Sequence, residues 1–334
     1  LKPTRDKNQI QRSRKNLNKL TLANAGVFYF YKMNNVITPP PLKKGDKIAI
    51  ISTARKITRE EIQHSINIIN SWGLQVITGK NLFNEFHQFA GIDEERLEDL
   101  QWALDEPQIK AIICARGGYG TSRIIDKADF SNFRKNPKWV CGFSDITVLL
   151  SHINTYHIEA IHSIMPVLFN KENAAKSVDS LKDILFGKKI NYTIPGNAFN
   201  QVGISEGILI GGNLSLIHNL IGTNSDNTSE GKILFLEDLD EYLYHIDRMM
   251  NHLQRSGKLN KLNGILVGHF TDMKDNTIPF GYNAYEIIKS YTEKLTIPVC
   301  FGFPAGHAFD NLALPLGCKV KLEVTNNETI LSQS

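Results

Sequence analysis

Between residues 48 and 153 short apolar runs alternate with stretches of helical spacing, which commits this part of the chain to a parallel sheet covered by helices on both faces. Ile48-Ala-Ile-Ile-Ser52 reads as a short buried strand. Thr58-Arg-Glu-Glu61 has the form of a capping box, and Ile62, Ile66, Ile69 and Trp72 follow at helical spacing until Gly73 stops the helix. A second strand is expected over 74–77, a helix over 93–104 with Leu97, Leu100 and Leu104 on one face, and a strand over 109–115. A glycine-rich turn, a helix from about Thr121, a strand over 139–142 and a helix over 146–153 complete the block.

From about 170 to 202 the periodicity weakens, Lys, Asn and Ser accumulate, and Pro195-Gly196 punctuates the stretch. The expected organisation is therefore an α/β domain over 39–170, a linker over 171–203 and a second domain over 204–334. The second domain opens on Gly207-Ile-Leu-Ile-Gly-Gly-Asn-Leu-Ser215, with strands near 233–236, 264–268 and 298–301 and a closing strand over 319–324. Its helix over 244–253 aligns Ile246, Met249, Met250 and Leu253, a stripe read as core packing.

The net charge of +4 arises at one end of the chain. Residues 1–32 hold eight Lys or Arg against Asp6 alone, leaving 30 basic and 33 acidic residues, a net of −3, for the remainder. The charge therefore gives no evidence for a basic body that binds nucleic acid. Residues 1–38 are expected to form a basic, disordered extension. The modestly apolar stretch 20–31 is too short to span a bilayer and is followed by Lys32 where small cleavage-site residues would stand. Cys114, Cys141, Cys300 and Cys318 lie in or beside apolar runs with no CxxC spacing, the pattern of reduced core cysteines in a cytoplasmic protein and not of a metal site.

Three segments end an apolar run with a residue that acyl transfer uses: Trp139-Val-Cys-Gly-Phe-Ser144-Asp145, Ile233-Leu-Phe-Leu-Glu237-Asp238 and Phe301-Gly-Phe-Pro-Ala-Gly-His307. Ser144 sits at a strand-to-helix turn, where free N–H groups point at any oxyanion formed on a carbonyl it attacks; a serine so placed also serves simply as a helix cap. Arg116-Gly-Gly-Tyr-Gly120 follows a strand without meeting GxGxxG, so the glycines read either as a tight turn or as a close backbone approach to substrate, with the Gly118 and Asp145 N–H groups forming an oxyanion hole. Glu237 can orient a histidine, although Asp238, Asp240 and Glu241 stand beside it, and an exposed acidic loop is the plainer reading. The imidazole of His307 is the kind of side chain that accepts a serine proton and returns it to an amine. His152, His157 and His162, spaced by five, would scatter on a helix, and no HExxH occurs. Arg116, Arg123 and Arg248 are candidates for holding a carboxylate, with structural ion pairs as their other use.

Taken together, Gly117-Gly-Tyr-Gly120, Gly142-Phe-Ser-Asp145, Gly211-Gly-Asn-Leu-Ser215, Phe235-Leu-Glu-Asp238 with Ile246-Asp-Arg248, and Gly306-His307 with Asn311 and Leu314-Pro-Leu-Gly317 resemble the LD-carboxypeptidases. This serine peptidase family includes muramoyl-tetrapeptide carboxypeptidase and the microcin C immunity hydrolases. The resemblance runs in order from about residue 40 to 330 and implies Ser144 as nucleophile, His307 as general base and Glu237 as its acid. It implies an N-terminal parallel-sheet domain of Rossmann or flavodoxin-like type, a C-terminal α/β domain and a cleft between them, in a cytoplasmic homodimer needing no metal or cofactor. The implied reaction releases the terminal D-Ala of a murein tetrapeptide. Hydrolysis of a peptide-nucleotide conjugate by the same machinery is the alternative, and a nonenzymatic nucleotide- or ligand-binding α/β protein a more distant one. Neither nucleic acid nor membrane is an expected partner.

Overall fold

Two sheets form around the apolar runs. The structure, a computed structural model, describes residues 36–308 and 310–334, of which 37–334 form one compact unit. The extension expected over 1–38 thus lies largely outside the described residues. Its last two residues are held in place: Ile37 N–H donates to His157 O at 2.8 Å and Thr38 Oγ1 to Glu159 Oε1 at 2.8 Å.

The N-terminal half runs β1 (Lys47–Ile51), α1 (Arg59–Ser71), β2 (Gln75–Thr78), α2 (Asp93–Asp105), β3 (Ile109–Cys114), α3 (Ser131–Lys135), β4 (Trp139–Gly142), α4 (Thr147–Thr155), β5 (Ala160–His162) and α5 (Ala175–Leu185). Then come β6 (Asn191–Pro195), β7 (Gly203–Asn213), α6 (Leu214–Leu220), β8 (Lys232–Leu239), α7 (Leu243–Arg255), β9 (Gly264–Thr271), α8 (Ala284–Thr292), β10 (Val299–Phe301), β11 (Leu314–Leu316), β12 (Lys319–Val324) and β13 (Glu328–Gln333). The capping box forms as read, with Thr58 N–H on Glu61 Oε2 and Glu61 N–H on Thr58 Oγ1. The helix expected from Thr121 is instead two 3₁₀ turns, Thr121–Arg123 and Ile125–Lys127. The stretch 171–203 carries α5 and β6; Val178, Leu181, Ile184 and Leu185 bury one face of α5.

The first sheet has the order β11-β5-β4-β3-β1-β2. Its five N-terminal strands are parallel, and β11, arriving from beyond His307, pairs antiparallel with β5. The chain order reverses between β1 and β3, and open α/β sheets receive ligands at such a point, outside the carboxyl ends of the strands. The second sheet has the order β10-β9-β8-β7-β12-β13-β6, parallel from β10 to β7 and antiparallel beyond.

Strand alternation explains how the two sheets share a core. On β8, Ile233 and Phe235 join the cluster that fills the first sheet, while Leu234 and Leu236 join the cluster under α7 and α8. Ile246, Met249, Met250 and Leu253 belong to that second cluster, so the methionine stripe is core. Gly212 of β7 serves close packing against the first half of the chain: a Cβ there (φ +140°) would lie 2.6 Å from Thr147 Oγ1. Among the described residues no helix is long and apolar enough to cross a membrane.

Candidate active site

Ser144 follows β4 with φ +62°, a left-handed backbone that serine rarely adopts. The chain turns there directly into the 3₁₀ turn Ser144–Ile146 and then α4. The tight reversal needs Gly142, since a Cβ there would fall 2.8 Å from Ile146 Cγ2. It also needs Gly117, where a Cβ would meet Ser144 Cβ at 3.0 Å and Oγ at 3.2 Å. Strain of about 1–3 kcal/mol held this way at a strand end is characteristic of a nucleophile elbow.

Glu237 continues the alternation of Ile233 and Phe235, which puts it on the face of β8 turned to the first sheet's core, and it is fully buried. Its Oε2 accepts a hydrogen bond from His307 Nδ1 at 2.7 Å. A buried carboxylate accepting from Nδ1–H leaves the lone pair on Nε2 of His307. The neighbouring acids are engaged elsewhere. Asp238 accepts from Asn213 Nδ2, Ser215 N–H and Leu239 N–H; burial, then the charge of Glu237, push its carboxyl up to about 7, while those three donors favour the ionised form. Asp240 pairs with Lys274 and Glu241 with His245.

His307 is carried on the loop after β10. Gly306 (φ +116°) precedes it, and its N–H donates to Asn311 Oδ1 at 2.9 Å. The carbonyl of His307 accepts from Thr271 Oγ1 at 2.9 Å. The ring of Phe143, the residue before Ser144, lies 4.6 Å from the His307 ring between centroids. Ser144, His307, Arg116, Gly117 and Gly118 line one cleft of about 520 Å³.

Two buried charges grip the glycine loop beside Ser144. Arg96, 1% exposed, donates from Nη1 to Gly120 O at 3.0 Å and Thr53 O at 2.6 Å, and from Nη2 to Asp93. Asp145 turns its buried side chain inward, where Oδ2 accepts from Thr121 N–H at 2.9 Å. Burial raises the Asp145 carboxyl and lowers the Arg96 guanidinium. The carboxylate of Asp145 thus ties the elbow to the loop, leaving its own N–H at the start of the turn, where helical geometry provides no acceptor.

The spacing of His152, His157 and His162 gave no sign of a place for His162 beside the site. His162 ends strand β5 and not a helix, is fully buried, and stacks edge-on against Phe235 at 4.9 Å. Because Asn311 Oδ1 already accepts from Gly306, His162 Nε2 must donate to it (3.1 Å), which sets the tautomer of the neutral ring. The apolar residues Ile158, Ala160, Ile161 and Ile164 around His162 were the available signal for a strand there. Burial drives His162 down to about 4, against the opposing pull of Glu237. An unfolded histidine takes its proton near 6.5, so between about 6.5 and 4 the unfolded chain binds more protons and native stability falls as pH falls, by an amount on the order of 3 kcal/mol from this group. His152 and His269, also lowered by burial, act in the same sense. Urea denaturation at pH 7 and pH 4.5 should show the loss, and His162→Asn should show less of it; equal pH dependence in both proteins contradicts this assignment.

Gly306 offers a direct probe of the pair. A Cβ there would sit 2.8 Å from both Cβ and Oε2 of Glu237, in a backbone conformation L residues avoid. Gly306→Ala is expected to cost about 1–3 kcal/mol of stability and about 10²-fold in kcat by displacing the imidazole. Thermal melts and steady-state kinetics check both numbers.

Of the arginines considered from sequence, Arg116 is paired with Glu61 at 3.2 Å, Arg123 with Asp93 at 2.9 Å, and Arg248 lies 5.3 Å over the Tyr244 ring.

Residues 48–163 match the LD-carboxypeptidase N-terminal domain and residues 206–322 the LD-carboxypeptidase C-terminal domain. The chain is 33% identical to the probable murein peptide carboxypeptidase of Bacillus subtilis, over 88% of this chain and 93% of that protein. It is 30% identical to the murein tetrapeptide carboxypeptidase of Pseudomonas aeruginosa, over 83% and 93% respectively. Among solved structures, muramoyltetrapeptide carboxypeptidase from Oxalobacter formigenes superposes with a TM-score of 0.78 at 28% identity, covering 86% of this chain and 98% of that one. MccF, solved in complex with glutamyl sulfamoyl guanosine, shares the fold with a TM-score of 0.80 at 21% identity, covering 90% and 99%. With the two domain matches together covering more than half of its length, and a relative 33% identical over most of both chains, this chain belongs to the LD-carboxypeptidase family.

Proposed function

We propose that the chain is a serine carboxypeptidase that removes the terminal D-Ala from murein tetrapeptides by hydrolysing an L,D peptide bond. The observation that carries this reading is the buried Glu237–His307 hydrogen bond opening onto the same cleft as Ser144 on its strained turn. His307 Nε2 takes the Ser144 proton as Oγ attacks the carbonyl carbon of the L-centre, and the N–H groups of Gly118 and Asp145 receive the oxyanion. Nε2–H then protonates the D-Ala nitrogen as the C–N bond breaks, leaving the tripeptide as an ester on Ser144. Water gives its proton to Nε2 and attacks that ester, and Ser144 recovers the proton as the product acid departs.

In this reading 39–170 supplies Ser144 and the glycine loop, and 204–334 supplies Glu237 and His307. The enzyme acts as a cytoplasmic homodimer, a compartment consistent with its four free, buried cysteines. Two relatives named for murein peptides share 33% and 30% identity with this chain, whereas the MccF likeness is one of fold. Comparing kcat/KM on L-Ala-D-Glu-meso-diaminopimelyl-D-Ala with that on a peptidyl nucleotide, with EDTA present, tests the substrate. Preference for the tetrapeptide supports the proposal, and turnover of the nucleotide conjugate alone overturns it.

A further inference from the structure

Arg55 was not singled out in the sequence, because its importance depends on strand order. It follows β1, while Arg116-Gly-Gly follows β3, and the two segments flank the point where the order of the first sheet reverses. Arg55 N–H donates to Gly117 O at 3.2 Å, and its carbonyl accepts from Ser52 Oγ at 2.8 Å. Its side chain packs on Gly118 so closely that a Cβ on that glycine would lie 2.7 Å from Arg55 Cβ. Arg55 is exposed, lines the cleft with Ser144 and His307, and has no carboxylate within ion-pairing distance among the described residues.

The other cations of the cleft differ. Arg116 is locked: Glu61 gives Oε1 to its guanidinium while Oε2 accepts from the helix cap at Thr58. Lys171 is free of ion pairs among the described residues but presents a single point charge, not a planar fork matched to a carboxylate.

We propose that Arg55 binds the free terminal carboxylate of the substrate and so restricts the enzyme to the last residue of a peptide. The proposal rests on the peptidase reading given above. In a carboxypeptidase the terminal carboxylate lies one residue beyond the scissile carbonyl, about 3.8 Å on the Cα scale. The group that receives it must therefore stand next to the oxyanion donors, and Arg55 is the unpaired cation in contact with Gly118. A guanidinium offers two parallel N–H donors to the carboxylate, and the packing of the aliphatic stem of Arg55 against Gly118 couples recognition of the terminus to placement of the carbonyl.

The test compares kcat/KM on the tetrapeptide ending in D-Ala with that on the same peptide ending in D-alaninamide. The wild type should favour the acid, and Arg55→Gln should lower kcat/KM for the acid about 10–100-fold and bring the acid-to-amide ratio close to one. Arg55→Lys should restore part of the ratio, while Arg116→Gln and Lys171→Gln should each keep it within about threefold of wild type. Because the ratio is taken within each variant, partial misfolding cancels from it. A preserved ratio in Arg55→Gln, equal loss of both rates, or collapse of the ratio in either comparison variant overturns the assignment. A folded wild type that cleaves neither peptide rejects the peptidase reading itself, whereas wild-type cleavage with any of the preceding outcomes removes only the role of Arg55.

Discussion

Ser144→Ala is expected to lower kcat on the murein tetrapeptide by about 10⁴–10⁶-fold, as removal of a nucleophile does where a triad acts as a unit. The fold should survive the change. Ser144 is half-buried, and its φ of +62° is about as costly for alanine as for serine. Losing one hydroxyl also opens no core cavity. The melting temperature should therefore move by no more than about 2–4 °C. Residual turnover within tenfold of wild type would assign the attack to another group.

Glu237→Gln should lower kcat by about 10³–10⁴-fold, through the histidine and not through contact with substrate. The amide is close to isosteric and keeps the packing imposed by Gly268 and Gly306, whose added Cβ atoms would lie 3.3 and 2.8 Å from Glu237 Cβ. What changes is the proton inventory. A side-chain amide can donate to Nδ1, and that turns Nε2–H toward the cleft, where it cannot accept from Ser144. Proton–nitrogen NMR of ¹⁵N-histidine-labelled protein should report the tautomer directly, with His307 protonated on Nδ1 in the wild type and on Nε2 in the variant. Activity within threefold of wild type would show that Glu237 does not set the state of His307.

The sequence disclosed much of this arrangement because its signals were local. Run lengths and the Thr58–Glu61 box mark the first strands and helix, and the apolar runs before Ser144, Glu237 and His307 mark β4, β8 and β10, although Glu237 lies inside β8 and His307 on the loop beyond β10. What stayed hidden depends on contacts far apart in the chain. The segment after Gly120 becomes two 3₁₀ turns where Thr121 N–H is taken by Asp145 and Arg123 is drawn to Asp93, partners that local periodicity does not reveal. Helix α5 was obscured by its Lys and Asp residues, although Val178, Leu181, Ile184 and Leu185 have helical spacing. Only the fold returns β11 to the first sheet, brings His162 and Asn311 beside the loop of His307, or shows that Asp238, Asp240 and Glu241 have other partners. Arg55 likewise acquires a role from the adjacency of β1 and β3.

The most direct measurement is chiral analysis of the alanine freed from L-Ala-D-Glu-meso-diaminopimelyl-D-Ala by the full chain in the presence of EDTA. The account predicts one equivalent of D-Ala, an intact tripeptide and no free L-Ala. Release of L-Ala, or an uncleaved tetrapeptide in the presence of demonstrably folded protein, would contradict it.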